Sequence, residues 1–207
     1  MRQVLGLVDI PESEKAVYDC VSMNKFMLFR FIMEFQNSVN LFELLERGGG
    51  PPSVGVFGGV FSLYRMIAAR DGALNIYHFG RSLAAIRNQL GACRSITNID
   101  RIKVREAGKV FRLHFPHVDS VRHAIAHAGE LYSTPAKMEN EKLKQHTHTS
   151  GHGFFAAGGT LVSALSERTY SIGFEGEVFS VTLDNQTISI LITIRNLVDS
   201  AFPVPTS

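Results

Sequence analysis

The sequence predicts a mainly helical protein, a bundle with a small antiparallel β-meander inserted before the C-terminal helix. Three observations predict it. From Glu12 to Glu46 the chain runs without a Gly or a Pro, which is far longer than a strand and typical of a long helix. Between Leu161 and Leu183 the residues become β-branched and partly alternating in short runs, which marks strands. Beyond Asp184, the residues Ile188, Leu191, Ile194, Val198 and Phe202 recur at helical spacing, as expected of a helix with one buried face.

Taken in order, the first helix has Pro11 at its start and is stopped by Gly48-Gly49-Gly50-Pro51-Pro52, since Pro suits a first turn and a Gly-Pro cluster ends one. Its apolar residues Phe26, Phe29, Ile32, Met33, Phe35, Val39 and Phe42 cover more than one face. Such a helix is either central in a bundle or shared with a second copy of the chain. The Gly-rich stretch from Gly48 to Gly59 lacks the Lys-Ser/Thr pair of a phosphate loop and reads as a connector. A second helical region follows over 60–90, with a break expected at Asp71-Gly72. Leu74, Tyr77, Phe79, Leu83, Ile86 and Leu90 form its buried stripe, and Tyr77 and His78 read as a hydrogen-bonded core pair. A third helix is expected from Ile99 to His114, with Asp100 near its start and Pro116 after it, and a fourth from His117 to Tyr132. Residues 133–153 are polar and read as an exposed loop. Strands are expected over Leu161–Ser166, Thr169–Glu175 and Val178–Leu183, with turns at Glu167-Arg168 and Gly176. The whole reads as one domain over 1–207: helical bundle 12–132, polar loop 133–153, β-meander 160–183 and C-terminal helix 184–203.

The totals narrow the class. Of 207 residues, 45% are apolar and fifteen are Phe, enough to form a core and too many for a disordered chain. A formal net charge of +2 gives no global signature of a nucleic-acid or membrane binder, so any basic surface has to be local. Cys20 and Cys93 are too few for a disulfide framework and make no zinc pattern. They also show no flanking His or charge pattern that suggests a nucleophilic thiol. The first residues lack the basic start and apolar core of a signal peptide. The run from Phe26 to Phe35, interrupted by Arg30 and Glu34, is short of the roughly 20 apolar residues that span a bilayer. These features lead to the expectation of a soluble, cytoplasmic protein in a reducing compartment.

Chemistry is concentrated in Val121-Arg122-His123-Ala124-Ile125-Ala126-His127-Ala128-Gly129-Glu130. A permanent cation and two imidazoles, which titrate near neutral pH, share one helix there. Arg122, four intervening residues beginning with His123, and then His127 resemble the signature of the HEPN superfamily, in which this motif sits on a late helix of an α-helical bundle. The resemblance is similar in style to uncharacterised bacterial HEPN-like proteins and covers about one helix in residues. The β-meander lies outside the minimal bundle. What the resemblance implies is metal-independent RNA cleavage by a homodimer, with Arg122, His123 and His127 at the site and no cofactor. It further implies products ending in a 2′,3′-cyclic phosphate, a role in stress or phage defence, and an antitoxin or nucleotidyltransferase as companion.

The chemistry is sound on its own terms. Attack by the RNA 2′-hydroxyl needs a proton acceptor, a proton donor and a cation for the charge that builds on phosphorus. Histidine can move the protons and arginine can hold the phosphoryl oxygens. Helix geometry adds a condition. Residues five apart, such as Arg122 and His127, point roughly 140° apart and differ by about 7.5 Å in height. The arginine of one protomer serving the histidine of the other would meet that condition.

Other readings stand beside this one. His123, His127 and Glu130, at i, i+4 and i+7, fall on one face of a helix, so two imidazoles and a carboxylate could hold a divalent metal for hydrolysis. The loop imidazoles His146, His148 and His152 are further ligand candidates or simply solvated. Ala124 stands where a metalloprotease helix has its glutamate base. Arg101, Arg105, Lys109 and Arg112 form one basic stripe, suited to RNA phosphates or simply solvated. Arg70 and Asp71 read as capping and local pairing. The competing class is a non-catalytic HEPN-like module that binds nucleotide, RNA or a protein partner.

Overall fold

A computed structural model describes residues 10–48, 56–92, 99–131, 133–142, 152–156 and 160–202. Cys93, residues 49–55 of the Gly-rich connector, and the imidazoles of His146 and His148 lie outside these. The element order is α1 (Glu12–Gly48), α2 (Val56–Gln89), α3 (Arg101–His114), α4 (Val118–Leu131), α5 (Pro135–Asn140), β1 (His152–Ala156), β2 (Thr160–Ser166), β3 (Thr169–Phe174), β4 (Glu177–Thr182) and α6 (Asn185–Asp199). The protein is mainly helical, with a small antiparallel sheet ahead of the final helix, as the sequence predicts. No helix among the described residues is long and apolar enough to cross a membrane.

Three local expectations are corrected. The break at Asp71-Gly72 is absent, and α2 runs continuously through it. The Asp71 carboxylate accepts from Ser38 Oγ at 2.7 Å and from Asn75 Nδ2 at 3.2 Å, so it braces α2 against α1. A Cβ at Gly72 would lie 3.2 Å from Leu183, so the glycine marks close packing and not a helix end. His78 is exposed and stacks on Phe31 at 5.4 Å, so it is no core residue. Finally, 133–153 is not loop throughout. It contains α5, capped by Thr134 Oγ1 accepting from Lys137 N, and the first residues of β1.

The residues gather into two compact units. The first takes α1 up to Met33, α2 from His78, α3, and α6 from Ile188. Its core is Val21, Leu28 and Ile32 with Phe79, Leu83, Ile86, Val104, Ala107, Phe111, Leu191, Ile194 and Val198. Asp100 caps α3 by accepting from Ile102 N and Lys103 N, and its own N–H donates to the Ala201 carbonyl at 2.8 Å. Lys25 is buried in this unit, 3.5 Å from Asp199 and 3.9 Å above the Phe202 ring. Burial lowers its pKa from the ordinary lysine value, and the Asp199 carboxylate opposes that shift.

The second unit takes α1 from Glu34, α2 up to Tyr77, α4, α5 and the sheet. The strands lie in the order β1-β2-β3-β4, all antiparallel. Helix α4 packs on β3 and β4. Tyr170, Ser171, Ile172 and Gly173 are buried in succession, as expected of a strand covered on both faces. Burial pushes the Tyr170 hydroxyl up to about 12, with Arg70 opposing. Ser171 and Ser180 are register partners and share a hydroxyl hydrogen bond of 2.8 Å. The β2–β3 turn is tied to α1 by Arg168, which donates to Glu43 at 2.8 Å and Glu46 at 3.2 Å. The β3–β4 turn is a two-residue loop, Glu175-Gly176, with both φ values positive, 53° and 75°. That is the tight hairpin geometry that matches strand twist.

Candidate functional site

The motif helix divides its polar residues between two surroundings. Val118, Val121 and Ala124 are buried and fix the rotation of α4. Arg122 is half-buried, its guanidinium carbon 5.7 Å from the Tyr77 ring centroid, within cation–π range. His123, four residues before His127, has its ring 4.5 Å from the His127 ring and 4.9 Å from Phe174 on β3. His127 Nδ1 stands 3.2 Å from Glu130 Oε2. With Nδ1–H donating to that carboxylate, Nε2 is left with the lone pair that can accept a proton. His127 also interrupts the helix, with φ −113° and ψ 16°, near the bridge region.

These residues line a cavity of about 240 Å³. Helix α4 supplies His123, His127, Glu130 and Leu131, and α5 supplies Lys137 and Asn140. Glu141 follows α5, and Phe174 and Glu175 close the wall from the end of β3 and its turn. Glu141 is 4% exposed, and its carboxylate accepts from the Glu175 backbone N–H at 2.9 Å. Burial pushes its carboxyl above the ordinary glutamate value; the Glu175 N–H pulls the other way, and the nearby Glu175 carboxylate adds to the rise. Lys137 Nζ donates to Ser133 Oγ at 3.3 Å.

Set against the sequence-predicted residues, the geometry brings His123, His127 and Glu130 together at this cavity and leaves Arg122 at Tyr77, outside the cavity lining. The metal alternative finds no support in the arrangement. Although His123, His127 and Glu130 share a face, no group of three or more His, Cys, Asp or Glu among the described residues is arranged to hold a metal ion. Arg101, Arg105, Lys109 and Arg112 are all exposed on α3, beside the face that buries Val104, Ala107, Gly108 and Phe111. Sequence reasoning missed Lys137, Asn140, Glu141, Phe174 and Glu175. The Thr134-Pro135 pair, a cap followed by proline at the first helical position, was the available sign that ordered structure lay there. No protein-family model matches this chain, and neither a curated protein nor a solved structure matches it.

Proposed function

We propose that the protein cleaves RNA without a metal, as a homodimer of HEPN type. The observation that carries this reading is the pair of imidazoles His123 and His127, 4.5 Å apart in a cavity wall, with Glu130 on the Nδ1 of one of them. Such a pair supplies a proton acceptor beside a proton donor, the two roles that transfer to an internal nucleophile requires. His127 Nε2 takes the proton of the 2′-hydroxyl, O2′ bonds to phosphorus, and the bond from phosphorus to O5′ breaks. His123, protonated, gives its proton to the departing O5′, leaving a 2′,3′-cyclic phosphate and a 5′-hydroxyl. Arg122 of the partner copy holds the phosphoryl oxygens, which suits its place outside the cavity lining within one chain. The exposed α3 stripe Arg101, Arg105, Lys109 and Arg112 offers phosphate contacts of its own, of the kind that give affinity without sequence preference.

The test is cleavage of total RNA in the presence of a chelator, by wild type and by the Arg122→Ala, His123→Ala and His127→Ala variants. Each single variant is expected to lose about 10²-fold or more of the rate. Mixing inactive Arg122→Ala with inactive His127→Ala, under exchange of subunits, is expected to restore about a quarter of wild-type activity, because half the dimers then carry one intact shared site. Cleavage that survives all three substitutions removes the reading, and no restoration on mixing removes the shared site. A second reading, a non-catalytic module binding nucleotide, RNA or a protein, is favoured by the packing of Arg122 on Tyr77. RNA bound but never cut would establish it.

A further inference from the structure

Beyond the imidazole pair, the cavity is better suited to hold a base than a phosphate. Its wall carries three carboxylates, Glu130, Glu141 and Glu175, against one fixed cation, Lys137. A phosphodiester placed inside would meet like charge. Its volume of about 240 Å³ falls below the roughly 300–1,000 Å³ of sites for drug-sized ligands, so it admits one ring system. Phe174 supplies an aromatic surface, with the His123 ring 4.9 Å from it, and unpaired bases stack on such surfaces in RNA recognition.

Resting on the RNA-cleaving reading above, we infer that this cavity is a nucleobase pocket that takes guanine, with Phe174 stacking the base and Glu141 accepting from its Watson–Crick edge. Guanine presents two adjacent donors there, N1–H and N2–H. Adenine and cytosine present one amino group beside an acceptor, and uracil one N–H between two acceptors. An ionised carboxylate only accepts, with about four lone-pair sites, of which the Glu175 N–H takes one. Asn140 is placed in the same wall to donate to guanine O6. A buried carboxyl whose ionised form is disfavoured by its surroundings gains from such donors. A guanidinium offers the same pair of donors and its charge suits the carboxylates of the wall, so arginine amide is the competitor that the test has to exclude. The reacting phosphate then lies beside the imidazoles, and cleavage occurs next to guanosine.

The test is calorimetric titration of the full chain with the 5′-monophosphates of guanosine, adenosine, cytidine and uridine, and with arginine amide. Guanosine monophosphate is expected to bind about tenfold or more tighter than the other three, the discrimination of a good paired contact. Glu141→Gln, which replaces one acceptor oxygen with a donor, is expected to abolish that preference. Phe174→Ala is expected to weaken all four by a similar factor, about tenfold from lost stacking. A melting curve for each variant separates lost binding from lost folding. Equal binding of the four nucleotides, an undiminished guanosine preference in Glu141→Gln, or arginine amide binding as tightly as the guanosine nucleotide would each overturn the inference. Guanosine binding by a protein that never cuts RNA keeps the pocket and removes the ribonuclease reading. His127-dependent cutting without guanosine preference does the reverse.

Discussion

Glu141 offers the sharpest test of the site's energetics. Its side chain is buried, and its carboxylate holds the β3–β4 turn through the Glu175 N–H at 2.9 Å. Glu141→Ala leaves that donor without its partner, which costs about 1–3 kcal/mol. For a chain of this size the melting temperature should fall by about 2–4 °C per kcal/mol, hence roughly 2–12 °C. Glu141→Gln behaves differently, because its amide oxygen can still accept from Glu175 and no charge is buried. The sign of the pH dependence follows from the direction of the shift. The carboxyl is raised above its ordinary 4.5, chiefly by burial. The stability it contributes is therefore fully present below the unfolded value and is lost as pH rises through the folded one. At pH 7 the Gln variant is expected to match or exceed wild type, and wild type is expected to gain on it as the pH is lowered toward 4.5. Calorimetric melts of the three proteins across pH 4.5–8 measure this, and the difference between wild type and Gln cancels titrations elsewhere. A wild type that loses ground to the Gln variant as acid is added would show that the site favours the ionised form, and would refute burial as the dominant cause.

Four further substitutions have outcomes that follow from packing, backbone conformation and buried charge. A Cβ at Gly173 would collide with the Leu161 carbonyl oxygen of the neighbouring strand, so Gly173→Ala should cost about 1–3 kcal/mol in a chemical denaturation series. Glu167 holds φ at 51° in the β2–β3 turn, and Glu167→Asn should raise stability by about 0.5–1 kcal/mol, because asparagine tolerates that conformation better. Lys25→Met should change stability by less than about 1 kcal/mol, since it removes a buried charge and keeps the apolar stem. Asp199→Ala strands that buried cation and should cost more, about 1–3 kcal/mol once the partial exposure of Asp199 is allowed for. Equal costs for the two in thermal melts would contradict the desolvation argument.

What could be read from the sequence was whatever repeats along one element. The buried stripe of Phe79, Leu83, Ile86 and Leu90, the capped start of α3 and the three later strands all follow from periodicity and turn residues, and each sits within a few residues of expectation. Local signals misled where a partner from another element decides the outcome. Asp71-Gly72 has the composition of a break, yet Ser38 occupies the aspartate and Leu183 packs against the glycine. Neither partner can be seen from residues 70–73. His78 was assigned to the core because its neighbours are apolar, but it follows Ile76 by two residues and precedes Phe79 by one, and it turns outward while both of those are buried. β1 and α5 are short and carry little pattern, and β1 exists through its pairing with β2.

The candidate site shows the same division more sharply. His123, His127 and Glu130 meet because spacings of four and three return to one helix face, and that much could be computed from the chain alone. The same arithmetic carries Arg122 to a different part of the surface, where Tyr77 on α2 receives it. The other half of the cavity comes from α5, the residue after it, and a hairpin turn, with a hydrogen bond from the Glu175 N–H to Glu141 joining them. A helical motif therefore specifies which titratable groups are present, while the segments that fold against it specify what surrounds them. Substitutions on α4 should change the rate of any reaction at this cavity, and substitutions at Asn140, Glu141 and Phe174 should change which ligand is accepted.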